Sequence, residues 1–364
     1  MLFFNDIVFN SICQLTLIQF IITWVVSFLL KNVAIIDFLW GTTYAVHCAV
    51  SFYINFFNMN NNYNSATNTL TSGKSDDTIV VTTAQEINAN QADIKSVPYV
   101  SNLIIALFAL GVVSFHGLRL STYLGRRVLL TGEDKRYADF RKKIGEKHFW
   151  WISLFMIFIG QWFVSMIICA PFRTIITAIF NIKTRSDVNY SLFFFGLVFA
   201  HFGTWYEAIA DAQVSNFLIR NNCFYKKKEE SMVDESTKQD DITHIVNDKS
   251  NNSNTDSKPS PSKLYTKGLW RLSRHPNYFG ENVFHWGIYI VSISLGNYFA
   301  FYSPLLMSLV HKYVSGVPLT EKYMKNNKYY GEEYKNKYMK EVKNAIIPEF
   351  SKIFSFNKQD VKVE

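Results

Sequence analysis

The sequence predicts an all-α protein that crosses a membrane several times, with about seven transmembrane helices enclosing a cavity. Of the 364 residues, 49% are hydrophobic, and they gather into runs of about 18 to 25 residues, which is the length that spans a hydrocarbon core of roughly 30 Å. Basic residues cluster beside these runs, where they set membrane topology. Two polar insertions dilute the runs, which explains a mean hydropathy of only +0.03.

The first two spans, 7–30 and 37–57, are predicted to form an antiparallel pair because only a short link containing Lys31 joins them. The N-terminus lacks the basic segment of a cleavable signal, so the first span is interpreted as a retained helix. Asp37 opens the second span. Its carboxylate suits the positive end of a helix dipole, and the alternative places it in the cavity.

Two segments, 58–96 and 224–263, are rich in Asn, Ser, Thr, Asp or Lys and are predicted to be disordered insertions. The spans and insertions divide the chain into six regions. These are a first helix pair (1–57), the first insertion (58–96), helices three to five with a basic loop (97–223), the second insertion (224–263), the motif with helices six and seven (264–320), and a basic, Tyr-rich tail (321–364).

The third span, 97–115, is predicted to continue as a helix that presents His116, Arg119, Tyr123 and Arg127 on one face, since they are spaced 3, 4 and 4 residues apart. A fourth span, 149–170, is predicted to end at Pro171.

The fifth span, 191–209, ends near Glu207 and Asp211, which lie four residues apart on one face. Two carboxylates at the end of a membrane helix indicate a functional site. His201 in the same span is interpreted as a hydrogen-bonded residue of the bundle.

The sixth span is predicted to begin at Pro276, because proline is favoured in the first turn of a helix. From there Asn277, Glu281 and His285 fall at i, i+4 and i+8 on one face. An intramembrane carboxylate such as Glu281 indicates function by default. The seventh span covers 298–314.

Arg271, Arg274 and His275 precede the sixth span, where they suit the phosphates of an anionic ligand. The alternative is that the two arginines only anchor the helix at the interface.

The four cysteines are widely spaced without a Cys-x-x-Cys pair, so we expect neither a disulfide framework nor a metal site. The net charge of +8 reflects basic residues beside the apolar runs, so nucleic acid is not an expected partner.

The segment 117–148 holds nine Lys/Arg against four Asp/Glu, whereas 58–96 holds two against four. The positive-inside rule therefore predicts a lumenal N-terminus and a cytosolic C-terminus. We expect an internal membrane, with the endoplasmic reticulum as the first candidate.

The sequence resembles the steroid 5-alpha-reductase superfamily, most closely its DUF1295-like branch of membrane proteins. The resemblance rests on a complete Ser-Arg-His-Pro-Asn-Tyr-Phe-Gly-Glu signature at Ser273 to Glu281. Further matching pieces are Asp37-Phe38-Leu39-Trp40-Gly41, Leu118-Arg119-Leu120 with Tyr123-Leu124 and Arg127, Glu133 to Tyr137, Trp150-Trp151, Ala210-Asp211-Ala212-Gln213, and Val314 to Leu319.

This resemblance implies a reductase that uses NADPH to reduce a C=C bond, conjugated to a carbonyl, in a steroid-like or other lipid. The steroid enzymes carry a Tyr at the position of His116, so His116 is the candidate proton donor, with Asp37 as its acidic partner and Tyr123 as a further catalytic candidate. The implied cofactor-binding residues are Arg119, Arg127, Glu207, Asp211, Arg274, His275, Asn277, Tyr278 and Glu281.

Two other functions remain open. Membrane methyltransferases that use S-adenosylmethionine share a looser Arg-His-Pro motif and a Tyr-rich tail, which Glu332-Glu333-Tyr334 resembles with one residue missing. The third possibility is a lipid-binding protein without enzymatic activity. The sequence gives no indication of oligomeric state.

Overall fold

The computed structural model describes residues 6–72, 81–182, 188–220 and 264–353, with the backbone alone described at 62–72, 81–99, 131 and 135. These residues form helices and connecting turns without a β-strand. Five helical segments within them are long and apolar enough to cross a membrane: Ile7–Leu29, Val33–Asn61, Val100–Leu130, Glu146–Phe180 and Tyr190–Arg220. The all-α, multi-pass class is therefore confirmed, whereas the count of seven spans and the enclosed cavity stay predictions.

The α-helices, in chain order, differ widely in length. Short 3₁₀ or π segments connect several of them, among them the π segment Leu154–Ile159 between α5 and α6. The helices are α1 (Ile7–Leu29), α2 (Ile36–Ser72), α3 (Val81–Thr131), α4 (Lys135–Ile144), α5 (Glu146–Ser153), α6 (Gly160–Phe180), α7 (Tyr190–Arg220), α8 (Pro276–Ser294), α9 (Tyr302–Leu309), α10 (Val317–Lys325), α11 (Gly331–Glu333) and α12 (Met339–Glu341).

Pro276 begins α8 as predicted, but Pro171 does not end the fourth span. It lies inside α6, which continues to Phe180. Proline is tolerated within membrane helices. Ser303 Oγ donates to the carbonyl of Ile168 in the preceding turn at 2.6 Å, which ties this part of α6 to a neighbouring helix.

The predicted insertion 58–96 overlaps the ends of α2 and α3, and its central residues 73–80 lie outside the described residues. The insertion 224–263 lies wholly outside them. Disorder in both segments stays a prediction.

The chain divides into two compact units. Unit 1 consists of Met1–Trp205 and Gly280–Leu309, and unit 2 consists of Tyr206–Phe279 and Val310–Glu364. The long helices α7 and α8 each contribute to both units. The main apolar core of unit 1 is built from α2, α3, α6, α7 and α8, and unit 2 has a smaller core around Tyr334 and Tyr338.

Glycines allow the helices of unit 1 to pack at very short range. A Cβ added to Gly41 on α2 would lie 1.9 Å from the carbonyl oxygen of Gly117 on α3, and a Cβ on Gly117 would meet the carbonyl of Gly41 at 2.3 Å. Helices α7 and α8 pack in the same way at Gly203 and Gly287. Small residues are typical of contacts between membrane helices, because they let the backbones approach.

Candidate active site

In unit 1 the buried carboxylate of Glu281 lies close to three polar side chains of the same unit. Glu281 on α8 accepts a hydrogen bond at Oε1 from the hydroxyl of Tyr44 on α2, at 2.9 Å. Its other oxygen, Oε2, lies 3.2 Å from Nε2 of His116 on α3. His285, one turn further along α8, places Nε2 at 3.4 Å from Oε1 and at 3.2 Å from the Tyr44 hydroxyl. All four side chains are buried.

The hydrogen bonds of His116 constrain where its protons lie. Nδ1 lies 3.0 Å from Oγ1 of Thr204, and that hydroxyl can instead donate to the carbonyl of Ala200 at 3.2 Å. Which atom of the contact between Nδ1 and Thr204 donates depends on the tautomer of the imidazole. If Thr204 donates to Nδ1, the ring proton lies on Nε2 and faces Oε2 of Glu281; if Nδ1–H donates to Thr204, the ring proton points away from Glu281. In the first tautomer His116 presents an N–H to the site.

Aromatic rings enclose this cluster. Phe284 stacks on the imidazole of His116 with ring centroids 3.6 Å apart, and Phe172 contacts the ring of Tyr44 edge-on at 5.2 Å. Rings on these sides shield the polar groups from water, and electrostatic interactions are stronger in such surroundings. The cluster can donate hydrogen bonds or a proton to a bound polar group.

Asp37 is not the acidic partner of His116, so that prediction is wrong. Its carboxylate instead binds Arg127 Nη2 at 3.0 Å and the hydroxyl of Tyr137 at 3.2 Å. The reason is geometric: α2 and α3 pack side by side through Gly41 and Gly117. Asp37 lies two turns before Tyr44, about 10 Å along the axis, and therefore reaches the far end of α3. The carboxylate beside His116 comes from Glu281.

The prediction that Glu281 and His285 share a face of α8 is confirmed by their contact. Arg119 and Tyr123 lie half-buried on α3, between His116 and Arg127. The catalytic role of Tyr123 and the cofactor contact of Arg119 stay predictions.

In unit 2, Arg274 holds the C-terminal segment of the chain. Its Nε donates to Oε1 of Glu321 at 2.8 Å, and its Nη1 donates to the carbonyls of Val342, at 2.7 Å, and Lys343, at 2.5 Å. Arg274 and Glu321 are both buried. This arginine thus has a structural function that the sequence did not reveal.

The neighbouring His275 places Nε2 3.6 Å from Oε1 of Glu321, beyond ordinary hydrogen-bond distance. Burial lowers the pKa of His275 below its usual 6.5. Burial also acts to raise the pKa of Glu321, but the facing His275 and Arg274 outweigh it and lower that pKa to about 2. The pair is therefore an ionised Glu321 beside a neutral imidazole at neutral pH.

The remaining predicted residues of unit 2 are Glu207 and Asp211, both buried on α7, and Asn277 and Tyr278 on α8. The side-chain oxygen of Asn277 is buried and has no hydrogen-bond partner in the described part of the chain. Tyr278 bonds Thr320 through its hydroxyl at 2.9 Å. Their predicted cofactor contacts stay predictions.

Comparison with known protein families shows to which family this chain belongs. The profile of a family described as a protein of unknown function, DUF1295, matches residues 90–342. The chain belongs to the DUF1295 family. Neither a curated protein nor a solved structure matches it.

Within this DUF1295 chain, sequence reasoning missed Tyr44 and Thr204 as site residues, and it placed His285 on the motif face without assigning it a function. A signal for Tyr44 was present: Tyr44, His47 and Ser51 fall on one face of an otherwise apolar span. Thr204 had no such signal, because a threonine in a membrane helix commonly bonds its own backbone.

Proposed function

We propose that this DUF1295 protein is a membrane-embedded reductase that uses NADPH to reduce a C=C bond, conjugated to a carbonyl, in a steroid-like or other lipid. The observation that carries the proposal is the buried Glu281 with its three polar neighbours. Glu281 is buried, and removing a charge from water costs several kcal/mol even after relaxation. Such a group is retained where it has a function.

The cluster supplies what this reaction requires from a protein. NADPH, when bound, supplies the hydride that adds to the β-carbon of the conjugated system. Negative charge then grows on the carbonyl oxygen, and a preorganised donor in dry surroundings stabilises it. We assign His116 as this donor. Glu281 positions it, and the hydroxyl of Tyr44 in turn holds Glu281. We assign the proton that balances the hydride to His116 and Glu281, since the saturated product gains one hydride and one proton.

The described residues fit a nicotinamide cofactor at Asn277, whose buried amide oxygen has no partner and suits the carboxamide N–H of the ring. Arg274 fits less well as a phosphate ligand, because Glu321 and two carbonyls already bind its guanidinium. The other cofactor-binding residues remain those that the resemblance implies. We also propose the orientation indicated by the charge distribution, with a lumenal N-terminus and a cytosolic C-terminus in the endoplasmic reticulum.

The test is thermal stabilisation of the detergent-purified protein by NADPH, NADH and S-adenosylmethionine. A ligand that binds the native state stabilises it by RT ln(1 + [L]/Kd). We expect NADPH to raise the melting temperature of the wild type and of a control, Glu332→Gln, in which an exposed tail residue changes. Asn277→Ala should abolish the shift.

A shift with S-adenosylmethionine alone would replace the reductase by a methyltransferase. No shift with any of the three, in protein that melts cooperatively, would favour a lipid-binding protein without enzymatic activity. If Asn277→Ala leaves the NADPH shift unchanged, NADPH is still the cofactor, but Asn277 does not bind it.

A further inference from the structure

A second polar row extends along α2, from the Glu281 cluster towards the end of unit 1 where α1 begins. Tyr44, His47, Ser51 and Asn55 are spaced 3, 4 and 4 residues apart and so share one face of the helix over about 16 Å. Tyr44, His47 and Ser51 are completely or almost completely buried. This row lies inside a unit whose core is otherwise apolar.

Most members of the row satisfy their hydrogen bonds locally. Ser51 Oγ donates to the carbonyl of His47 at 2.6 Å. Asn55 Nδ2 donates to the carbonyl of Ser51 at 2.7 Å and to the hydroxyl of Thr177, on α6, at 3.2 Å. These bonds are ordinary for polar residues in membrane helices.

His47 is different. Neither of its ring nitrogens has a hydrogen-bond partner among the residues that the structure describes, and burial leaves only 1% of the residue exposed to water. Leaving a buried donor or acceptor unpaired is energetically costly, and a neutral imidazole has one of each. Nδ1 of His285, at the inner end of the row, is likewise buried without a partner in the described chain. Two imidazoles in an apolar core thus present three unpaired nitrogens.

The outer end of the row is strongly polar. Arg173 on α6 is buried and binds the carboxylate of Asp6 at 2.7 Å, and Asp6 caps the first turn of α1. Asn297 bonds Thr174, next to Arg173 on α6, at 3.2 Å. The buried arginine cation disfavours metal cations at this end. Water is neutral and can both donate and accept hydrogen bonds, so it is the species that suits unpaired imidazoles.

We infer that the row formed by Tyr44, His47, Ser51 and Asn55 is an aqueous path through which water and protons reach His285 and Glu281 from the membrane face where α1 begins. His47 binds water of this path through its two ring nitrogens, and the water carries the proton. Tyr44, which lies within hydrogen-bond distance of both His285 and Glu281, forms the last link. The path replaces the proton of the buried pair and does not depend on which reaction consumes it.

Cysteine accessibility tests this inference without an activity assay. In a background where the native cysteines are replaced, we compare Ser51→Cys with two single-cysteine controls at similar depth on α2. One control retains native Cys48, which lies in the apolar core, and the other carries Ala49→Cys on the exposed outer face. Each protein is treated in membranes with a small, charged methanethiosulfonate reagent. We expect labelling of Ser51→Cys to be at least tenfold faster than labelling of either control.

Equal, slow labelling of all three proteins would overturn the inference and make the row a dry structural feature. If Ser51→Cys does not melt like the wild type, His47→Cys replaces it, because positions 47 and 48 are adjacent in the chain and differ only in the helix face they occupy. If Ser51→Cys is labelled fast but NADPH does not stabilise the protein, the aqueous path is supported and the reductase is rejected. The two experiments therefore test the two proposals independently.

Discussion

Nε2 of His116 lies 3.2 Å from Oε2 of Glu281, and both side chains are buried between α3 and α8. The two residues are far apart in the chain, and each is held by further groups: His116 by Thr204 and Glu281 by Tyr44. This contact joins the polar face of α3 to that of α8 and forms the centre of the candidate site.

The first prediction concerns the energy of this pair. Removing one partner of a buried pair leaves the other uncompensated, which costs about 3–5 kcal/mol. We therefore expect Glu281→Leu and His116→Leu each to lower the free energy of unfolding by about this amount. The double variant should lose less than the sum of the two, since no unpaired group then faces its partner. Equilibrium unfolding in mixed detergent measures all four proteins, and strict additivity would mean that the two side chains do not interact.

The second prediction concerns the approach of α2 to α3. A Cβ on Gly41 would lie 1.9 Å from a backbone oxygen of α3 that cannot move aside independently. Gly41→Ala should therefore destabilise the protein by at least about 1–3 kcal/mol, the usual cost of overpacking.

Gly111→Ala is the matched control, because it lies on α3 with nothing within 4 Å of the added Cβ. It should be neutral or slightly stabilising, as expected of alanine in place of glycine within a helix. Melting temperatures compare the two variants. If Gly41→Ala and Gly111→Ala had the same melting temperature, the close packing of α2 against α3 at Gly41 would be contradicted.

The third prediction separates a structural function of Arg274 from anchoring at the membrane interface. Glu321→Gln removes the charge that Arg274 binds, so we expect a loss of about 3–5 kcal/mol and faster proteolysis of the tail, whose carbonyls at Val342 and Lys343 the same arginine holds. Glu332→Gln should leave stability nearly unchanged, because the ion pair of Glu332 with Lys335 is exposed. If the two variants resist protease equally, Arg274 does not fasten the tail.

The fourth prediction is a pH dependence in unit 2. The folded pKa of His275 lies below 6.5, so the unfolded chain takes up a proton first, and stability falls as the pH drops below about 6.5. Glu321 acts at lower pH: its folded pKa of about 2 lies below the usual 4.5, so its contribution is complete above about pH 4.5 and is lost towards pH 2.

His275→Asn should flatten the melting temperature between pH 7 and pH 5 while leaving the loss below pH 4.5 in place. Melting curves of wild type and variant across pH 3 to 7 measure both effects. A variant with the slope of the wild type between pH 7 and pH 5 would show that another group titrates there.

The sequence by itself determined the membrane class, the helical start at Pro276 and the shared face of Glu281 and His285. These features are local: apolar runs, a proline at a helix start and residues four apart on one helix depend only on residues near each other in the chain. The same reasoning erred at Pro171, because whether a membrane helix continues through a proline depends on its packing against other segments.

Only the tertiary structure decided which residues meet. The carboxylate that contacts His116 is that of Glu281 and not that of Asp37. The contact of Gly41 with Gly117 sets this alignment: it brings Tyr44 to the level of the site and leaves Asp37 two turns away, beside Arg127. The tertiary structure also brought Glu321 and the carbonyls of the tail to Arg274, and it left His47 without a partner in the described chain. Contacts of this kind depend on how helices align, and a one-residue shift along a helix turns a side chain by about 100° to another face.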